Sequence, residues 1–419
     1  MAHFLHVVQL YWPANSGAGR YFAEVGGRLA AEGHRVTVLA TDAYDLEHLW
    51  AAGKRRVERA EEVHGGVRIV RLPIRRLPGG PLVYPVLRRL MVELGRLPGT
   101  ERLLERLATL TPRQEGVERF LASERFDLVH TTNITLDFAI FPAYAAARRQ
   151  GAPFVCTPFV HLGEPDNPQV RRYYTMRHQI ALLRRSDRVI VQGGLEETYL
   201  AGRGVARERL RRIGVGVTPE ELAGGDGARF RAEQRIDGPL VLFVGAMAAD
   251  KGAVQLVEAM RRLWARGSAA TLAMIGAPLE HFTRYHAALP EHVRARIRLL
   301  PYAPDAVKKD AYAAADVFAM PSRTDSFGIV FLEAWCYGVP VIGARAGSVP
   351  DVIDDGRDGL LVRFGAVEEL AAAIERLLAD RDEARRLGEA GRRKVLREMT
   401  WEHKYAQVRE VYAELVRGL

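Results

Sequence analysis

The chain of 419 residues carries 60 lysines and arginines against 51 aspartates and glutamates, a net charge of +9, with 48% apolar and 26% charged residues. This length predicts two domains rather than one core. It excludes a disulfide framework or a zinc site, since Cys156 and Cys336 stand far apart in apolar runs, and no uncharged stretch approaches the roughly 18–20 apolar residues of a membrane span. The N-terminus lacks the basic start and cleavage site of a signal peptide, so a cytoplasmic protein is expected. The excess positive charge leaves three readings open: an anionic substrate, an anionic membrane surface, or compositional bias. Nucleic acid is disfavoured, because the arginines are dispersed and no recognition module is present.

In chain order, Phe4 to Leu10 reads as a strand and Gly17 opens a helix that Gly33 and His34 stop. Arg35 to Thr41 follows as the next strand, completing a βαβ unit that begins a doubly wound sheet. Further strands are expected at Val67 to Leu72, Asp127 to His130, Pro153 to Thr157 and Asp187 to Val191. Leu72 to Leu110 breaks the pattern with prolines at 73, 78, 81, 85 and 98 and basic amphipathic pieces. It reads either as a surface helical pair capping the sheet or, over the basic segment 71–106, as a peripheral contact with the inner face of a membrane or a grip on an acceptor.

The first sheet ends near Ile213 to Pro219, and the polar, glycine-rich Glu220 to Gly227 reads as a linker. A second alternation follows, with strands at Leu240 to Val244, Thr271 to Ile275, Ile297 to Leu300, Val317 to Met320, Pro340 to Ile342 and after Gly359. The expected domains are 1–215 and 216–400, with an amphipathic helix over 401–419 packing back on the first. The fold class is α/β, with two Rossmann-like doubly wound domains facing an interdomain cleft.

The stretch Pro321 to Glu333 concentrates the chemistry. It reads as a strand end, a turn and a helix N-terminus over Ile329 to Tyr337, with Thr324, Asp325 and Ser326 supplying cap chemistry and Gly328 letting a ligand approach the backbone. Free amides and the helix dipole favour an anion such as phosphate there. Glu333 is the one charged residue between Asp325 and Arg345, a costly carboxylate on an apolar helix unless hydroxyls or amides satisfy it. It either caps a neighbouring loop, pairs with an arginine, or takes the two adjacent hydroxyls of a ribose. Asp325, eight residues earlier, favours a nucleotide-sugar site.

Gly245 closes the first strand of the second domain, and Lys251 stands ahead of the next helix at a strand's carboxyl end. It is either a solvated lysine or a counter-charge for a diphosphate leaving group. His161 follows the strand Pro153 to Thr157 and is either structural or placed to hydrogen-bond a sugar or move a proton. Ser16 and Gly17 lie between the first strand and helix, where the glycines fit a dinucleotide fingerprint poorly, since Phe22 stands at the third glycine position.

Taken together, these residues resemble the retaining glycosyltransferases of family 4, with the GT-B fold, over nearly the full chain. The carriers are Ser16-Gly17, Gly33-His34, Asp127 to His130, Lys251-Gly252, Pro321-Ser322, the run Asp325 to Glu333, Gly338 to Val341, Asp358-Gly359 and Thr400-Trp401. The resemblance implies transfer of a sugar from a nucleotide-diphosphate sugar to a glycan, lipid or small-molecule acceptor, with retention and no metal or other cofactor. It implies that Asp325 and His161 meet the donor sugar and Glu333 the ribose. Ser326 and the main chain of Phe327, Gly328 and Ile329 meet the phosphates with Lys251 and Gly245, and Gly17 lies on the loop over donor and acceptor. Two departures stand out: Asp325 replaces a glutamate, and Ala246 replaces an arginine for which Arg323 is a candidate substitute. A sugar-nucleotide epimerase and a non-catalytic nucleotide-sugar-binding protein of the same architecture are the rival expectations.

Overall fold

A computed structural model describes residues 1–14, 16–79, 82–167 and 169–417. Pro81, one of the prolines that interrupt the first sheet pattern, lies outside the described residues, as do the last two residues of the tail. The chain divides into two compact units: Met1–Val160, Gln169–Gly214 and Tyr405–Leu419 form the first, and His161–Pro168 with Val215–Lys404 form the second.

The strands of the first unit are β1 (His3–Val7), β2 (Arg35–Thr41), β3 (Glu61–His64), β4 (Val67–Leu72), β5 (Ile74–Arg75), β6 (Arg113–Gln114), β7 (Leu128–Thr132), β8 (Phe154–Thr157), β9 (Arg188–Val191) and β10 (Leu210–Arg212). Eight of them form one sheet in the order β10-β9-β8-β7-β1-β2-β4-β3, while β5 and β6 pair separately. The central strands are buried on both faces, so that even the polar His6 of β1 and His130, Thr131 and Thr132 of β7 are inside, whereas β3 (Glu-Glu-Val-His) is antiparallel to β4 at the edge, where polar side chains stay wet. That edge strand and the short β10 carry too little apolar pattern to be read from sequence.

The helix Trp401–Leu415 ends in this unit. The Tyr412 hydroxyl, fully buried, lies 2.9 Å from His6 Nε2 and 2.7 Å from His130 Nδ1, and the other nitrogen of His130 is 2.7 Å from Thr157 Oγ1. Burial pushes the His6 imidazole down to about 3 and His130 well below its ordinary range, so both are neutral hydrogen-bonding groups at pH 7.

The segment between β5 and β6 forms two helices, Val83–Leu94 and Glu101–Thr109. The first buries Arg88, whose guanidinium donates to Asp137 at 3.3 Å and to the carbonyls of Thr135 and Tyr173. Asp137 also accepts from His178 Nε2 at 2.8 Å and Gln179 Nε2 at 3.0 Å. A buried carboxylate is tolerated only when its lone pairs are filled in this way.

The second unit holds β11 (Leu240–Val244), β12 (Thr271–Ile275), β13 (Ile297–Leu300), β14 (Val317–Met320), β15 (Val341–Ala344) and β16 (Gly359–Val362). All pair in parallel, in the order β13-β12-β11-β14-β15-β16. Strand order reverses between β11 and β14, and in open α/β sheets a ligand crevice forms outside the carboxyl ends at that point. The loops that leave those two strands carry Lys251 and Asp325.

Candidate active site

Lys251 and Asp325 meet. Lys251 Nζ donates to Asp325 Oδ2 at 3.1 Å, with the two side chains 23% and 17% exposed. The backbone around them is locked: Arg323 donates its amide to the Asp250 carbonyl at 2.9 Å, and the Thr324 hydroxyl bonds the Asp250 carboxylate. Gly252 is required beside them. It has φ +75°, and a Cβ there would stand 2.4 Å from the Pro321 carbonyl oxygen.

Thr324, Asp325 and Ser326 do not cap the following helix, contrary to the sequence expectation. Thr324 and Asp325 are committed to Asp250 and Lys251, and the helix Ile329–Cys336 starts at Gly328, in the left-handed region at φ 89°, with no side-chain cap. In consequence, among the described residues the amides of Ser326, Phe327, Gly328 and Ile329 have no protein acceptor. Four such amides at a helix N-terminus, next to an ammonium, are donors and charge of the kind that suits a multiply charged oxyanion. The Gly245 amide behaves differently: it donates to the Ile275 carbonyl at 2.9 Å, which leaves it no hydrogen for a phosphate.

His161 belongs to the second unit, where the Gly347 amide donates to the Gly163 carbonyl at 2.8 Å and holds its loop. Burial and the nearby Lys251 ammonium push its imidazole down to about 4, against the opposing pull of Asp325 and Asp250. The Lys251 ammonium holds the Asp325 carboxyl below its usual range despite burial. At neutral pH the three groups are therefore an ammonium, a carboxylate and a neutral imidazole. Such a histidine donates or accepts a hydrogen bond but is a weak base, which narrows the proton-moving role expected from sequence.

Glu333 is 3% exposed in the second turn of its helix. Its carboxylate accepts from the Tyr312 hydroxyl at 2.8 Å and from Lys308 Nζ at 3.4 Å. Sequence reading did not find either partner. Both stand four apart on one face of the helix Asp305–Ala314, and that i,i+4 spacing is the signal that was available. The Arg323 guanidinium lies 3.5 Å from Glu164 and stacks over the Phe364 ring at 5.3 Å.

Gly17 is in the first unit, in the first turn of the helix Gly17–Ala31. Ser16 caps that helix by accepting from the Gly19 amide at 2.9 Å, and nothing lies within 4 Å of the place a Gly17 Cβ would occupy. The structure thus brings His161, Lys251, Asp325 and the 326–329 amides together in the second unit.

The sequence model described as "Glycosyl transferase 4-like domain" matches residues 16–216, and "Glycosyl transferases group 1" matches residues 227–394. The chain belongs to the group 1 glycosyltransferases. Among relatives of this glycosyltransferase, the GDP-mannose-dependent alpha-(1-6)-phosphatidylinositol monomannoside mannosyltransferase of Mycobacterium tuberculosis is 28% identical over 100% of the chain and 99% of that protein. The D-inositol 3-phosphate glycosyltransferase of Nocardia farcinica is 33% identical, over 54% of the chain and 52% of that protein, so the match spans about half of either. Sucrose-phosphate synthase from Thermosynechococcus elongatus superposes with a TM-score of 0.75 at 23% identity, over 99% of both chains. HepE of Anabaena, solved in complex with UDP and glucose, superposes with a TM-score of 0.72 at 16% identity, over 99% of this chain and 100% of HepE. These likenesses identify the fold as GT-B.

Proposed function

We propose that this glycosyltransferase moves a sugar from a nucleotide-diphosphate sugar to a hydroxyl of a glycan, lipid-linked or small-molecule acceptor, with retention at the anomeric carbon and without a metal ion. The observation that carries the reading is the set of unpartnered amides of Ser326, Phe327, Gly328 and Ile329 beside Lys251, at the sheet's switch point. A diphosphate is the ligand that such a set suits, and relatives named for GDP-mannose or crystallised with UDP agree with it.

In this reading Lys251 and the amides stabilise charge on the departing diphosphate, the role a divalent cation fills in other enzymes. Asp325 and neutral His161 hold donor-sugar hydroxyls, and Glu333, kept in place by Tyr312, takes the ribose hydroxyls. No side chain of the set is placed as a covalent nucleophile. The acceptor oxygen bonds to the anomeric carbon on the face from which the diphosphate leaves, and its proton passes to a phosphate oxygen of the leaving group. Gly17 supplies open backbone on the first unit for the acceptor loop.

Isothermal titration of UDP and GDP against wild type and Glu333→Ala tests the site. Wild type binds one of them and Glu333→Ala weakens that binding sharply; equal affinities would remove Glu333 from the nucleotide site. Nuclear magnetic resonance of the product gives the anomeric outcome, and turnover that persists in excess chelator checks metal independence.

A further inference from the structure

The helix Val83–Leu94 is apolar on two sides. It buries Met91 and Val92 together with Arg88, while Val86 and Leu90 on its outer side, and Leu82 just before it, spaced four apart along one stripe, are 67%, 51% and 79% exposed. Leu97, in the connection to the helix Glu101–Thr109, and Leu103 within that helix are also 55% and 50% exposed. A soluble helix normally turns such residues inward, and a contiguous exposed apolar stripe marks a surface that something covers.

Charge selects what covers it. Residues 71–110 contain eight arginines, three glutamates and no aspartate. Each glutamate is already engaged: Glu93 with Arg96, Glu101 with Arg177 and Glu105 with Arg185, the last two from the helix Arg177–Arg185. Among the described residues, exposed Arg75, Arg89, Arg102 and Arg106 have no carboxylate partner. The stripe therefore combines bare leucines with uncompensated cations. A second copy of the same face would set these cations against each other.

We infer that the two helices between residues 82 and 110 form a docking face for an anionic lipid bilayer, with the exposed apolar side chains entering the acyl boundary and Arg89, Arg102 and Arg106, with nearby Arg75 of β5, meeting lipid phosphates. Apolar insertion and electrostatic attraction together give the two signals that stable yet reversible surface binding requires. The face lies wholly in the first unit, so the inference stands whether or not the donor reading of the second unit holds.

Co-sedimentation of the full chain with phosphatidylcholine vesicles containing about one third phosphatidylglycerol tests it. Binding is expected to these vesicles and not to pure phosphatidylcholine, and to weaken at about 0.5 M salt, where the Debye length shrinks to a few ångströms. Leu82→Ser/Val86→Ser/Leu90→Ser is expected to lose at least roughly tenfold in partitioning, and Arg89→Glu/Arg102→Glu to lose roughly fivefold per cation. Both variants should keep the wild-type thermal midpoint and nucleotide affinity, because every substituted side chain is exposed. Absence of vesicle binding by wild type, or equal binding by the leucine variant, overturns the inference. A wild-type dimer that the leucine variant abolishes would overturn it in favour of self-association.

Discussion

Replacing Lys251 with methionine keeps the aliphatic stem and deletes the ammonium. At 3.1 Å the attraction to Asp325 amounts to about 5 kcal/mol at an effective dielectric near 20. With the side chains 23% and 17% exposed, desolvation and screening reduce the net contribution to about 1–2 kcal/mol. Lys251→Met should therefore lower the stability of the free protein by about that amount, because Asp325 keeps its charge and loses its partner. Loss of a charge-assisted bond to a diphosphate, worth about 1.5–3 kcal/mol, should weaken UDP or GDP about 10–100-fold. The His161 imidazole, held at about 4 partly by this ammonium, should titrate at higher pH in the variant, read from its ring resonances. Adding Asp325→Asn separates the two roles: it should restore stability and leave nucleotide affinity low. An unchanged nucleotide dissociation constant for Lys251→Met, or affinity recovered by Asp325→Asn, would refute the reasoning.

Three other outcomes follow from buried polar groups. Tyr312→Phe removes the hydroxyl from buried Glu333 and should cost about 1–2 kcal/mol in urea denaturation, together with part of the nucleotide affinity; a neutral result on both would detach Tyr312 from the site. Arg88→Met strands the buried Asp137 carboxylate and should cost about 3 kcal/mol, partly recovered by Asp137→Asn, as chemical denaturation of the two variants would reveal. Because the folded His6 titrates near 3 and His130 is also depressed, the unfolded chain binds protons near 6.5 that the folded chain refuses. Their contribution is therefore complete above pH 6.5 and is lost as pH falls toward the folded values, at up to about 1.4 kcal/mol per pH unit for each histidine. A urea midpoint that stays flat between pH 7 and 5 would contradict this.

Sequence periodicity located most parallel strands to within a residue or two, because strands buried on both faces are unbroken apolar runs, as Leu240–Val244 is. It failed where pattern is thin: at the polar edge strand Glu61–His64 and the three-residue Leu210–Arg212. At the site, the strand-turn-helix placing Asp325 and Glu333 was legible, since Gly328 and the apolar helix punctuate it. The cap was misread, because Thr324 and Asp325 have cap-forming side chains whose partners, Asp250 and Lys251, lie more than seventy residues away. Composition flagged the basic segment 71–106, but not which face of its helices would turn outward.

The sequence by itself determined the two α/β alternations, the family resemblance, and that Lys251 and Asp325 follow the carboxyl ends of two strands. Those properties depend on local patterns of apolar residues, glycines and carboxylates. Tertiary structure decided that Lys251 pairs with Asp325, that Tyr312 satisfies Glu333, that four amides near Phe327 find no acceptor among the described residues, and that Arg88 goes inward while Leu82, Val86 and Leu90 stay outside. Each of these is a competition for hydrogen-bond partners or buried volume among residues remote in the chain. Its outcome is fixed only when the elements pack, because desolvating an unpaired charge costs more than exposing a leucine.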